Sequence, residues 1–223
     1  MSRHISGQYD LELGAIRDRL MEMGGLVEQQ VADAGLAFVT HDVPLADQVR
    51  DTEKRLNAME VQLDDQCVAI IAKRQPAAGD LRNIIGIMKA VTDLERVGDE
   101  ANRIAKMALE VSDRDFPTDQ YAAFRALHTA VGAQLNQALD AFARTNAETA
   151  SAVIGADKEV DRMYDEILAD STVNMQSNGA DVPHMLAVIW SARALERVGD
   201  HAKNMAEYVI FQVAGYDIRH QRG

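Results

Sequence analysis

The chain has 223 residues, 23 Lys and Arg against 35 Asp and Glu, and a formal net charge of −12. That length accommodates one or two domains, and 47% apolar residues exclude a disordered chain. The acidity argues against nucleic-acid binding, which needs clustered Lys and Arg, and leaves room for cations or a basic partner surface.

No apolar run exceeds six residues, as at 67–72 and 185–190, far short of the roughly 20 that a membrane-spanning helix needs. The early charges Arg3, Asp10, Glu12, Arg17, Asp18 and Arg19 do not read as a secretory signal. A single cysteine, Cys67, allows no internal disulfide and no thiolate metal cluster. The expected address is cytoplasmic.

Aromatics are only 5%, while Ala, Leu, Met, Glu, Gln and Arg abound, which is a helical vocabulary. Alternating β-branched runs are missing. Pro44, Pro76, Pro117 and Pro183 fall where the apolar periodicity breaks. The pattern predicts six helices, at 8–41, 45–74, 79–112, 118–146, 149–177 and 182–214. Short connections make neighbours antiparallel. Asp80 and Asp181 are the expected N-caps of the third and sixth helices. Ser177-Asn178-Gly179 is the expected end of the fifth. Residues 112–119 form the most turn-like stretch and mark a boundary between 1–114 and 115–223.

The chain repeats itself. Leu94-Glu95-Arg96-Val97-Gly98-Asp99 returns as Leu195-Glu196-Arg197-Val198-Gly199-Asp200, at an offset of 101. Upstream, Glu53 and Asn57 pair with Asp157 and Asp161, at an offset of 104. The difference of three is absorbed by the loop around Pro76. Such self-similarity implies an all-α protein of two tandem three-helix bundles, residues 1–114 and 115–223, related by duplication. A pseudo-twofold axis and a translation are both compatible with it.

Glu95 and Asp99 are four apart and share a helix face; Glu196 and Asp200 repeat the arrangement. Each pair continues an apolar stripe, through Met88 and Val91 or through Ile189 and Ala192. A mid-helix glycine costs about 1 kcal/mol, yet the chain accepts one at both Gly98 and Gly199. A close approach by another helix or a ligand is the expected reason. Antiparallel middle and last helices bring Glu53 and Asn57 to the first pair, and Asp157 and Asp161 to the second. Oxygen-rich sets of this kind suit hard or borderline divalent cations, with carboxylates able to bridge two of them. Random placement of 35 acids also gives about five such spacings, so duplication, not spacing, carries the argument. The other reading of each pair is a solvated helix face, helped by Arg96 and Arg197.

Other chemistry-bearing residues are less organised. His201 follows Asp200 and is expected to be a surface hydrogen-bond partner, with metal ligation as the sharper alternative. His41, His128 and His184 lack repeated counterparts and read as structural. Cys67, most of the ten methionines, and Trp190 with Leu186 and Ile189 read as core.

These residues resemble the PhoU family, the accessory regulators of bacterial phosphate uptake. The resemblance spans nearly the whole chain. It rests on Gln75-Pro76-Ala77-Ala78-Gly79-Asp80-Leu81-Arg82, on both copies of the repeated word, and on Met21-Glu22-Met23-Gly24-Gly25-Leu26-Val27-Glu28. It implies two three-helix bundles and no catalytic turnover. It implies multinuclear iron or zinc, with Mn or Mg as alternatives, at Glu95 and Asp99, Glu196 and Asp200, and Asp157 and Asp161. The fourth place, Glu53 with Asn57, departs from the acidic pattern, because an amide is a weaker ligand. The resemblance also implies a homodimer. Its implied partners are the ATPase subunit of the phosphate ABC transporter and the phosphate-sensing histidine kinase, and its implied role is to repress the phosphate-starvation response.

Two other readings remain at this point. One is a carboxylate-bridged metalloenzyme, an oxidase or hydrolase, against which stands the absence of any Glu-x-x-His. The other is a phosphotransfer bundle with His128 or His201 as acceptor.

Overall fold

Six long α-helices make up the fold in the computed structural model, which describes residues 7–114, 121–177 and 181–215. They are α1 (Gly7–Thr40), α2 (Val43–Arg74), α3 (Ala78–Glu110), α4 (Ala122–Arg144), α5 (Ala147–Met175) and α6 (Val182–Ala214). The expected start of the fourth helix at 118 and part of the 112–119 turn lie outside the described residues.

Local chemistry sets the helix ends. Asp42 caps α2 by accepting from the Leu45 amide at 3.0 Å, with Pro44 in the first turn. Asn146 caps α5 through the Glu148 and Thr149 amides, and Asp181 caps α6 through His184 as expected. The expectation for Asp80 is corrected: α3 begins at Ala78, Ala77 is its cap without a side-chain bond, and Asp80 sits in the first turn. There its charge still favours the positive end of the helix dipole. The end of α5 also comes earlier than expected, with Gln176 as its C-cap residue. Ser177 donates to the Asn174 carbonyl, while Asn178 and Gly179 lie outside the described residues. Left-handed backbone at Thr145 (φ 53°) ends α4.

Helices α1, α2 and α3 pack on one another, as do α4, α5 and α6. The two bundles meet through α3 against α6 and α1 against α4. Each joining pair is therefore a helix packed on its own repeat counterpart. Asp93 of α3 meets His201 of α6, while Glu100, further along α3, meets the earlier Arg197. The counterpart helices thus run antiparallel, and that requires a pseudo-twofold axis; a translation would have left them parallel.

A continuous apolar core fills both bundles, through Leu20, Met23 and Val27 of α1, Leu56 and Leu63 of α2, and Ile87, Leu94 and Ile104 of α3. In the second half Leu127, Leu135, Val153, Leu195 and Met205 serve the same purpose. Cys67 is fully buried, and burial pushes its thiol up to about 11, in keeping with a packing role. Trp190 corrects its expectation: it is 61% exposed. Residues 188, 192, 195 and 199 carry the inward stripe of α6, so Leu186 and Trp190, four apart, share the outer face.

The acidic grooves between paired helices

The duplicated glycines lie where two helices press together. A Cβ at Gly98 would stand 2.7 Å from Leu56 Cδ1 and 3.1 Å from Gln30 Oε1. At Gly199 it would stand 2.9 Å from Gln134 Oε1 and 3.2 Å from Val160 Cγ1. The close approach expected from sequence is thus made by helices. Gln30 and Gln134 are buried and hold the neighbouring helix, donating to the Val49 carbonyl at 3.0 Å and the Val153 carbonyl at 3.5 Å. Sequence reasoning missed this pair. The available signal was their separation of 104, the offset already linking Glu53 to Asp157.

Tight packing at the glycine brings α2 alongside α3, and α5 alongside α6, with the carboxylates at the rims. In the first repeat Glu95, Asp99 and Glu53 interact electrostatically, joined by Glu60, which the sequence reading did not single out. Burial, then the like charges of Asp99 and Glu60, raise the Glu95 carboxyl above the usual carboxylate range, against the pull of Arg96. Glu60 is raised by burial, then by Asp64 and Asp99. Asn57 is exposed and lines a hollow of about 510 Å³ with Glu53 and Asn102. Asn102 donates through Nδ2 to Glu53, while its Oδ1 is buried without a partner.

In the second repeat Asp157 and Glu196 are buried and Asp161 and Asp200 exposed. Glu196 is raised by burial, then by Asp200, with Arg193 opposing at 2.8 Å from Oε1. Asp161 is raised by burial, then by Asp157 and Asp200. Here Lys203 occupies the place of Asn102, and its ammonium pairs with the buried Asp157. Burial works to lower the Lys203 pKa, but Asp157, Asp200 and Glu207 outweigh it and raise it.

The structure makes the expected carboxylates of each repeat electrostatic neighbours rather than a closed ligand cage, while, of the site residues, Asn57 is placed beside Glu53 and Asn102 alone. Among the described residues, no three His, Cys, Asp or Glu side chains stand close enough to hold a metal ion in place. Both sets face basic groups, Arg96 in the first and Arg193 and Lys203 in the second, and each keeps one buried oxygen without a hydrogen-bond partner, Asn102 Oδ1 and Glu196 Oε2.

The remaining expectations divide. Arg197 ion-pairs at 3.0 Å with Glu100 of α3, so it does not serve the acidic pair beside it; Arg193 does. His201 is buried, which overturns its surface placement: Nδ1 lies 2.7 Å from Asp93 Oδ1, and Asn204 also donates to Asp93. His201 therefore turns toward the joint between bundles. His128 is half-buried against Gly35 and bonds the Val31 carbonyl at 3.0 Å, and His41 meets Tyr121 at 2.8 Å. Neither His128 nor His201 is presented as an exposed phosphoryl acceptor.

Fold and paired grooves define an all-α protein of two tandem three-helix repeats. The family model for the PhoU domain matches residues 20–108 and 124–209. A phosphate-specific transport system accessory protein PhoU homolog of Pseudomonas putida is 44% identical over 99% of this chain and 86% of its own length. The phosphate-specific transport system accessory protein PhoU of Escherichia coli (strain K12) is 40% identical over 100% of this chain and 92% of its own. The crystal structure of PhoU from Pseudomonas aeruginosa superposes with a TM-score of 0.90 at 44% identity, covering 93% of this chain and 100% of that one. PhoU from Streptococcus pneumoniae, at 24% identity and a TM-score of 0.86 over 94% of this chain and 99% of its own, shares the fold. The chain belongs to the PhoU family, whose named members here are accessory and regulatory proteins rather than enzymes.

Proposed function

We propose that this protein is a cytoplasmic regulator of phosphate uptake. It links the ATPase subunit of the phosphate ABC transporter to the phosphate-sensing histidine kinase and represses the phosphate-starvation response when phosphate is plentiful. The observation that carries this reading is whole-chain similarity, through both repeats, to proteins named for the phosphate-specific transport system. No helix among the described residues is long and apolar enough to cross a membrane, so contact with the membrane would run through partners. The acidic outer faces of α2, α3, α5 and α6 offer complementary charge to basic partner surfaces, which speeds encounter more than it tightens the final complex. A homodimer and two repeat units divided at 114/115 belong to the same proposal.

A divalent cation, iron or zinc before manganese or magnesium, is part of this reading. Glu53, Glu95 and Asp99 with Asn57 would hold it in the first repeat; Asp157, Asp161, Glu196 and Asp200 form the related set in the second. When bound, it would neutralise clustered carboxylates and hold middle and last helices in register. Gln30, Gln134 and the two glycines set that register through packing alone.

The test is complementation. In a bacterium lacking its own PhoU, expression of this chain should return a phosphate-starvation reporter to its repressed level in phosphate-rich medium. Accumulation of folded protein without repression would refute the regulatory role. Pull-down with the kinase's cytoplasmic portion and with the ATPase subunit separates the two partners.

A further inference from the structure

Leu186 and Trp190 belong to a longer ridge on the outer face of α6. Val182, Leu186 and Trp190 are exposed at four-residue intervals, and Arg193 and Arg197 continue the same stripe. From Val182 to Arg197 the ridge runs about 22 Å. Among the described residues no other helix exposes three large apolar side chains at that spacing. A single exposed apolar residue is ordinary, whereas an aligned set beside charge marks a contact surface.

At its basic end the ridge borders a hollow of about 370 Å³ between α3 and α6, where Trp190, Arg193 and Arg197 face Arg103 and Lys106. Half of its described lining residues are Lys or Arg, against 23 in the 223 of the chain. The acids opposing them are fewer. Buried Glu100 pairs with Arg103 and Arg197, Glu196 pairs with Arg193, and Glu110 follows Lys106 by one turn of α3. The three arginine side chains stay about half exposed, with N–H donors to spare, and Lys106 is exposed. Duplication does not account for the cluster. At the matching end of the joint, Trp190, Arg193, Arg103 and Lys106 correspond to Lys89, Thr92, Asn204 and Glu207, and the Lys89 ammonium covers the Tyr208 ring at 5.4 Å. A packing need of the repeat would act at both ends. Trp and Arg are the side chains that carry most energy in protein interfaces. A helix with apolar residues four apart matches the ridge, and acids in its next turn match the cations. A mononucleotide would fill the hollow and leave the ridge bare.

We propose that this face of α6, with Arg103 and Lys106 of α3, docks an amphipathic helix of a partner protein, one with apolar residues at four-residue intervals and acids in the adjoining turn. The inference rests on the adaptor reading above and gives one of its partners a place on the molecule.

The test is binding of the purified ATPase subunit and of the kinase's cytoplasmic portion, one at a time, to full-length protein by biolayer interferometry. Trp190→Ala should weaken one of the two complexes at least about tenfold. Lys106→Glu should slow association of that same partner and flatten its dependence on salt. Val61→Ser, at an exposed apolar position of α2, should change neither complex. Circular dichroism checks the fold, and Leu186→Ser repeats the test if Trp190→Ala does not fold. Partners that bind wild type and the α6 variants alike overturn the inference and leave the adaptor reading standing. An equal loss in Val61→Ser overturns it too. Dissociation of a wild-type dimer by Trp190→Ala, seen by light scattering, would give the face to a second copy and overturn the inference. Saturable quenching of Trp190, the sole tryptophan, by ATP would give it to a nucleotide, with the same consequence. Binding of neither partner to wild type overturns the adaptor reading and the inference together.

Discussion

Gly35 and Gly86 both face a neighbouring helix, yet what faces them differs in stiffness. A Cβ at Gly35 would meet three ring atoms of His128 at 2.5–2.7 Å, and that ring is held by the Val31 carbonyl. A Cβ at Gly86 would meet the end of the Gln212 side chain, which has several torsions with which to yield. Gly35→Ala is therefore expected to lower stability by roughly 1–3 kcal/mol through overpacking. Gly86→Ala should be neutral or gain up to about 1 kcal/mol from helix propensity. Urea unfolding of both variants checks the order, and a Gly35→Ala protein as stable as wild type would contradict it. Gly199→Ala should cost more than Gly98→Ala, since the stiff, β-branched Val160 replaces Leu56 in the contact.

Protonation of single groups gives a second prediction at this scale. Burial lowers the His184 imidazole to about 4, from 6.5 in an open chain. The unfolded chain then takes up this proton first as pH falls. The contribution is complete above about pH 6.5 and is lost between there and about pH 4, up to about 3 kcal/mol. Glu95 and Glu196 work the other way. Their raised carboxyls destabilise the fold at neutral pH; the cost starts to decline as pH falls through their folded values and is gone only below the ordinary carboxyl range of the unfolded chain. Substituting Gln at Glu196 should raise the melting temperature of metal-free protein most at neutral pH, with the gain closing on acidification. A gain that grew toward acid would reverse the assigned sign.

At the level of the helix, the caps show how far composition can be read. Asn146→Ala removes the acceptor for two amides at the start of α5 and should cost about 1 kcal/mol. Asp181→Ala removes the α6 cap and also the Arg114 pair at 2.6 Å, which holds the Asp181 carboxyl below the usual range. That contribution is present at neutral pH and lost as acid protonates Asp181, so the deficit of Asp181→Ala should shrink at low pH. Thermal melts across the carboxylate range would show it. Asp181 was visible in the sequence because it directly precedes an apolar-periodic segment. Asp80 misled for the same reason, since Ala77 after Pro76 already supplies extended backbone from which α3 starts.

For the whole molecule, the joint between bundles decides whether the halves act together. Its polar centre is Asp93, buried and shared by His201 and Asn204, with Glu100 held by Arg197 and Arg103 nearby. Asp93→Ala leaves the His201 ring without its partner and should cost about 1–3 kcal/mol. Amide hydrogen exchange should then rise along the facing stretches of α3 and α6 while α2 and α5 stay protected. Uniform loosening of all six helices would show that the joint has no separate role. Trp190, exposed beside Arg193 and Arg197 on α6, lies on this same seam.

The sequence by itself determined the six helices, the duplication and the acidic pairs, because helical period, proline placement and repeated words are local properties of the chain. It did not disclose Gln30 and Gln134, Glu60, or the inward turn of His201. Each of those depends on which helix lies opposite. Tertiary packing alone decided that counterpart helices meet antiparallel about a pseudo-twofold axis. It also decided that Lys203 reaches Asp157 where Asn102 reaches Glu53. A helix face is written in one segment, whereas the charge that balances it belongs to another, and only folding brings the two within the few ångströms over which such charges act strongly.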